Sequence, residues 1–281
     1  MFKKDTHNTW LLNLNQYRTN PLPKNVTTKK GWEWDGCQGN YYSDDGEDGI
    51  LEYLFEYIDD VNKFGVDIGS AHGYGGSNMR FLADKNDWNT TEFDFAGRWD
   101  RIHPRVKQVK VSHENICRLL SENHTPHEID LLSLDIDSMD WYVLKSFLEG
   151  GYKSSVIILE YNPIFSYDED YVRTHNLNYK KDGTSAYGGS ISSFQKLLIR
   201  HNYTLVANCV DLNNGIYANN AIFLNNKFID ENDKVDTIET LHPTPWKEPW
   251  KKFNTIDDLV KLKKYYKENN VMKELEVHDY V

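Results

Sequence analysis

The sequence contains no run of about 18 apolar residues, the length that a bilayer-spanning helix requires, so no membrane span is predicted. Cysteine is scarce. Cys37, Cys117 and Cys209 show no C-x-x-C spacing, which argues against both a zinc knuckle and a disulfide framework. Basic residues are in deficit: 32 Lys and Arg against 43 Asp and Glu leave a net charge of −11. That balance argues against a nucleic-acid partner, which wants a basic face, while leaving room for a local basic pocket. The opening stretch, MFKKDTHNTWLLNLNQ, lacks the apolar segment of a signal peptide. The expectation is a cytoplasmic protein in which four N-x-T sequons (Asn25, Asn89, Asn123, Asn202) stay bare. No internal repeat is visible. Apolar residues are plentiful: 39% of the 281 residues are hydrophobic and 14% aromatic, enough for a packed core.

Along the chain, residues 1–45 are polar with no clear period and read as an arm or cap. GEDGILEYLFEYI follows with helical spacing and two acids at its start, which suit a positive helix end. Strands and helices then alternate. Strands are predicted at 64–68, 89–95, 106–111, 129–136 and 154–161, and helices at 77–84, 113–123, the DWYVLKSFLEG stretch and 190–201. YTLVANCV and IYANNAIFL, joined through DLNNG, read as an antiparallel pair. Continuous apolar strands between amphipathic helices predict an α/β fold, a mostly parallel sheet covered on both faces. The domain expectation is an arm over 1–45, the α/β domain over 46–226, and an extension over 227–281. That extension holds the aromatic HPTPWKEPW and a helix with a capping box at Thr255 and Asp258.

The first chemical signal is VDIGSAHGYGGS. Asp67, Gly69 and Gly73 form D-x-G-x-x-x-G at a strand end, a turn that lets backbone approach a ligand at a helix N-terminus. Neither the dinucleotide fingerprint nor a Walker A loop fits. The motif resembles the S-adenosylmethionine loop of Rossmann-like methyltransferases, with Ser70, His72 and Ser77 as further candidate contacts. Against this stands the plain reading of a glycine-rich turn. Glu92 lies nineteen residues after Gly73, the distance at which an acid meets ribose hydroxyls. Asp94 is the other candidate for that role.

The second signal is LLSLDIDSMDWYV. Carboxylates at the end of an apolar strand are costly unless water, a metal or a ligand meets them. Asp135 ends one strand and Glu160 the next, in VIILEYNP, with Asn162 two residues on. Neighbouring parallel strands bring such groups together at the carboxyl edge of the sheet, where sites form. Two carboxylates and an amide oxygen are hard ligands for Mg²⁺ or Mn²⁺. Asp135 is also a candidate for cofactor contact. Asp137 is a candidate ligand or general base, and Asp140 reads as a helix cap. His113, after a strand end, is a candidate for adenine contact or for the base; His124 and His127 read as solvated. The NYKKDGTSAYGGS loop suits a sugar or phosphate, although many loops have this composition.

Together, SDDGEDGILEYLF, VDIGSAHGYGGSN, VKVSHENICRLL, IDLLSLDIDSMDWYVLKSF, VIILEYNP and DGTSAYGGSISSFQKL resemble the FkbM-related methyltransferases of glycan and capsule gene clusters. The resemblance spans roughly residues 43–225. Its specific part is the Leu131–Val143 block joined to LEYNP. Ser138 stands where those proteins usually have Gly, and Trp141-Tyr142 where they have Tyr-Trp. The resemblance implies a Rossmann-like sheet of the class I methyltransferase type, doubly wound, with a terminal antiparallel strand. It also implies S-adenosylmethionine as cofactor and a sugar hydroxyl as acceptor, on a nucleotide-linked sugar or a glycan precursor. The acid after one strand and Glu-x-Asn after the next are similar to metal-dependent catechol-type O-methyltransferases, in which Asp135 and Glu160 would be ligands. Two rivals use the same Asp-Ile-Asp: a dehalogenase-like phosphatase with Asp135 as nucleophile, and a metal-dependent glycosyltransferase holding a diphosphate. A non-catalytic cofactor-binding protein is the third alternative. The sequence is silent on oligomeric state.

Overall fold

The computed structural model describes residues 42–43, 46–58, 61–95, 101–166, 168–178, 186–211, 216–229 and 256–280. Seven strands form one sheet: β1 (Phe64–Ile68), β2 (Asn89–Asp94), β3 (Val106–Gln108), β4 (Glu128–Leu134), β5 (Lys153–Glu160), β7 (Tyr203–Asp211) and β8 (Ile216–Asn225). Their order is β3-β2-β1-β4-β5-β8-β7. β1 through β5 pair in parallel, and β8 runs antiparallel to both of its neighbours. The reversed strand is the last of the sheet in chain order, as expected, and lies one place in from the edge. The helices are α1 (Glu47–Tyr57), α2 (Arg80–Lys85), α3 (Ile116–Glu122), α4 (Asp140–Glu149), α5 (Ile191–Arg200) and α6 (Ile256–Glu268). This is a Rossmann-like, doubly wound α/β fold.

Strand alternation divides the core in two. Val66, Ile68, Leu132, Leu134, Ile157 and Leu159 pack with α3, α4 and α5. Leu131, Val156, Ile158, Ile222 and Leu224 pack with α1 and α2 on the other face. Burying each such side chain contributes about 1.5–3 kcal/mol. The α1 N-terminus is tied by a reciprocal pair: Asp48 Oδ2 accepts from the Tyr42 and Ser43 amides at 2.7 and 3.0 Å, and Ser43 Oγ accepts from the Asp48 amide. The two acids expected to favour that end are both buried.

Three differences from the predicted elements have local causes. α2 starts at Arg80 rather than residue 77, because the Ser77 hydroxyl is committed to Asp67 at 2.7 Å. β3 ends at Gln108, and the chain then turns where Asn115 Nδ2 donates to the Lys110 carbonyl. A second, two-stranded sheet pairs β6 (Tyr171–Arg173) with β9 (Met272–Glu274), a pairing across about 100 residues that no local pattern announces. Through it the described part of the C-terminal extension joins the main body. Leu275 and Tyr280 belong to the main core, and Lys145 Nζ donates to the Asp279 carbonyl at 2.7 Å. The arm over 1–41, the aromatic HPTPWKEPW and the Thr255 member of the capping box lie outside the described residues. Among the described residues no helix is long and apolar enough to cross a membrane.

Candidate functional site

The strand alternation that buries Val66, Phe93, Leu134 and Leu159 on one face turns Asp67, Glu92, Asp135 and Glu160 to the other. The register makes two groups of them. Asp67 lies beside Glu92 across the β1–β2 pair, while Asp135 and Glu160 follow the paired ends of β4 and β5. The two groups meet at Gly69, which follows β1 with φ +98°. A Cβ there would lie 1.5 Å from the Asp135 carbonyl oxygen, so only glycine lets the loop pass this close.

The loop after β1 is pinned from beneath. Asp67 is buried and accepts from Ser77 Oγ; burial first, then the Glu92 charge, push its carboxyl up to about 7. Ser70 is buried, and its hydroxyl donates to the Phe93 carbonyl. His72 Nδ1 accepts from the Tyr74 and Gly75 amides at 3.2 and 3.3 Å. Asp67, Ser70 and Ser77 therefore shape the turn from inside. All three are buried, so the side chains expected to contact a cofactor lie beneath the turn. The backbone from Gly69 to Gly75 and the His72 ring are left to meet a ligand.

Glu92 also departs from expectation. It has no exposed surface, accepts from Thr90 Oγ1 at 2.8 Å, and faces Arg105 Nε at 3.4 Å. Its Oε2 lies 3.5 Å from where a Gly73 Cβ would stand and has no hydrogen-bond partner among the described residues. Burial, the largest influence, raises its carboxyl above the usual range, and Thr90 and Arg105 oppose the rise. A group sealed under Gly73 is poorly placed for ribose. Asp94, two residues further along the same face, ends β2 and is partly exposed.

Beyond β4, Asp135, Asp137 and Glu160 each offer a carboxylate oxygen, and these atoms all lie within 4.8 Å of one another. Asp137 takes a left-handed backbone, φ +55°, which aspartate tolerates better than most residues. Asp140 makes that conformation possible. Its Oδ1 accepts from the Ile136 amide at 2.8 Å and its Oδ2 from the Ser138 amide at 2.9 Å. Asp140 is thus the first residue of α4 and a brace for the preceding loop, not the helix cap read from sequence: Met139 holds the N-cap position, and both Asp140 bonds go to amides ahead of the helix. Burial raises its carboxyl to about 6. Glu160 is pushed well above the carboxylate range by burial first, then by Asp135, Asp137 and Asp140. Three clustered acids cannot all ionise without a compensating positive charge. Hard oxygen donors at this spacing fit a divalent cation such as Mg²⁺ or Mn²⁺.

The expected third ligand was Asn162, but the structure gives its amide other work. Asn162 is buried, its Oδ1 accepts from the Ile164 amide, and its Nδ2 donates to the Tyr187 carbonyl at 3.0 Å. Asp137 stands in the cluster instead. His113 is half-buried with its ring 4.7 Å from His175 and 6.1 Å from Tyr142; burial first, then His175, lower its affinity for a proton. That packing suits a wall more than a base. Sequence reasoning singled out the loop that holds Tyr187 as suited to a sugar or phosphate, but not Tyr187 itself. Burial and then the Glu160, Asp135 and Asp137 charges hold its phenol well above its ordinary range, so it keeps its proton. The only signal was a tyrosine before two glycines in a loop. No protein-family model matches the sequence, and no curated protein matches it.

Proposed function

We propose that the protein is an S-adenosylmethionine-dependent O-methyltransferase that acts on a sugar hydroxyl with help from a divalent cation. One observation carries the reading: the glycine turn after β1 abuts the carbonyl of Asp135, the first acid of the Asp135–Asp137–Glu160 cluster. A nucleotide-type loop and an acid cluster thus share one carboxyl edge of the sheet, at the reversal of strand order where doubly wound folds bind ligands. The sheet order and the FkbM-type motifs support the same reading by analogy.

S-adenosylmethionine would supply an electrophilic methyl group, held by the backbone of Gly69–Gly75, by His72, and at its ribose by Asp94. A cation would supply charge that lowers the pKa of an acceptor hydroxyl, held by Asp135 and Glu160. Asp137 would take the hydroxyl proton, since a base must lie within hydrogen-bond reach of it. Asp140 keeps Asp137 in place through the Ile136 and Ser138 amides. Residue 92 and the buried loop acids hold the turn's shape.

The decisive experiment is calorimetry with S-adenosylhomocysteine against a nucleotide sugar, with and without Mg²⁺, followed by methyl transfer to a panel of sugars. Binding of the homocysteine and methylation of a carbohydrate are expected. Phosphate release from a phosphomonoester, or sugar transfer without methylation, would favour the phosphatase or the glycosyltransferase instead.

A further inference from the structure

We propose that Arg80, Arg101 and Arg105, gathered around Tyr74, form a binding site for the diphosphate of a nucleotide-linked acceptor. That the diphosphate belongs to an acceptor rests on the methyl-transfer reading; the anion site itself does not. In a chain of net charge −11, the three arginines are a local reversal of sign beside the glycine turn. The Arg101 guanidinium lies 4.7 Å from the centre of the Tyr74 ring and that of Arg80 lies 5.6 Å from it, with the His103 ring edge-on at 4.9 Å. Asp84 holds two of the cations together, 2.6 Å from Arg80 Nε and 2.9 Å from Arg105 Nη2. Arg80 Nη1 also donates to the Gly73 carbonyl at 3.3 Å, which fixes the group to the turn. Burial first, then Arg80 and Arg105, and more weakly Arg101, lower the proton affinity of His103, so all three cations act on one ring.

Chemical complementarity supplies the ligand class. Stacking on an aromatic ring occupies a guanidinium's face and leaves its in-plane N–H donors to meet an anion, which they bind in pairs. Guanidiniums spread over the breadth of one ring match two linked phosphates better than a single carboxylate. The nearby acids lie to one side: Asp84 faces Arg80 and Arg105, and Glu92 is sealed beneath Gly73 against Arg105, whereas Arg101 stands at the surface. Position ties this site to the acid cluster. The Gly73 amide donates to the Ser70 carbonyl at 2.9 Å, so the turn closes within about 7 Å. Gly69 at its start abuts the Asp135 carbonyl, and Gly73 at its end takes Arg80. A hexose spans that kind of gap between its diphosphate and a ring hydroxyl.

The test is calorimetry with inorganic pyrophosphate and with a uridine diphosphate hexose, on wild type, Arg101→Gln and Arg118→Gln. Arg118 is an exposed arginine of α3 paired with Glu122, and its variant controls for loss of charge alone. Wild type should bind both probes, more weakly as salt rises. Arg101→Gln, at an exposed loop position, should keep the wild-type unfolding temperature and bind both probes about tenfold more weakly, the size of one charge-assisted hydrogen bond. Arg118→Gln should bind as wild type does. No pyrophosphate binding by wild type, equal binding by Arg101→Gln, or an equal loss in Arg118→Gln overturns the site. S-adenosylhomocysteine then separates the site from the methyl-transfer reading. If the hexose nucleotide binds alongside it, the diphosphate is the acceptor's. If each excludes the other, the phosphates belong to a nucleotide seated in the glycine turn, and the acceptor assignment falls while the anion site stands. A loss of pyrophosphate affinity in Arg101→Gln likewise keeps the anion site even if wild type methylates no sugar.

Discussion

Two groups of acids share one face of this sheet, and their fates differ. Asp67 and Glu92 face each other across β1 and β2 and are sealed from solvent. Donors surround them: Ser77 on Asp67, Thr90 and Arg105 on Glu92. Asp135, Asp137 and Glu160 gather at the open carboxyl edge, and acids dominate their surroundings. Carboxylates in the first group are buried against fixed partners, so they act as structure. In the second group three carboxylate oxygens lie within 4.8 Å of one another and the neighbouring acids raise the Glu160 carboxyl, a donor set that suits a cation. Close spacing of acids is common to both. Access to the sheet edge, not spacing, distinguishes the two groups.

The largest effect expected from breaking this contrast is at the open cluster. Asp135→Asn, or chelation by EDTA, should lower methyl transfer by about 100-fold or more. Thermal unfolding should show that Asp135→Asn stays folded, and added Mg²⁺ or Mn²⁺ should restore the chelated wild type. Full activity in metal-free protein would assign Asp137 as a base that works without a cation.

At the sealed pair the expected readout is stability against pH. Asp67 holds its proton up to about 7, against 3.8 for an ordinary aspartate, so between those values the folded chain binds more protons than the unfolded one. Stability should therefore fall as pH rises through that window, by up to about 4 kcal/mol if the whole shift were realised. Denaturant titrations should show the fall in wild type and a flatter profile in Asp67→Asn.

Asp140 links the two behaviours, being buried like the first group but adjacent to the second. Asp140→Ala removes the acceptor for two loop amides and should cost about 2 kcal/mol of stability. It should also weaken Mn²⁺ binding by calorimetry, although Asp140 itself is not one of the three clustered acids. The smallest effect belongs to Thr90→Val, which removes one hydrogen bond from Glu92 and should cost about 1 kcal/mol. Cofactor affinity should stay unchanged in that variant; a clear loss would return Glu92 to the binding surface.

The alternating elements of the doubly wound fold were legible because their patterns are local. α5, for example, carries Ile191, Phe194, Leu197 and Leu198 at helical spacing, and all four are buried. β6 and β9 were not legible, because three residues carry no period and their partner lies far along the chain. Gly69, Asp135 and Glu160 stand at the strand ends where the sequence placed them. Glu92 and Asn162, expected at an open edge, are both buried. Glu92 sits at a plausible spacing from the glycine loop, yet two residues short of the open edge. Asn162 has a ligand's chemistry but spends its amide on Ile164 and Tyr187.

The sequence by itself determined the strand ends at which charge accumulates, since an apolar strand that stops at an acid marks a boundary between core and solvent. Tertiary structure alone decided which acids face each other and with what partners. Arg105 reaches Glu92 only because β3 lies beside β2, and the Tyr187–Gly188 backbone lies beside the Ser138 loop only because Arg173, Ser138 and Asn162 hold it there. Local pattern follows from the period of the backbone, whereas the protonation and ligand preference of a carboxylate follow from neighbours that can come from anywhere along the chain.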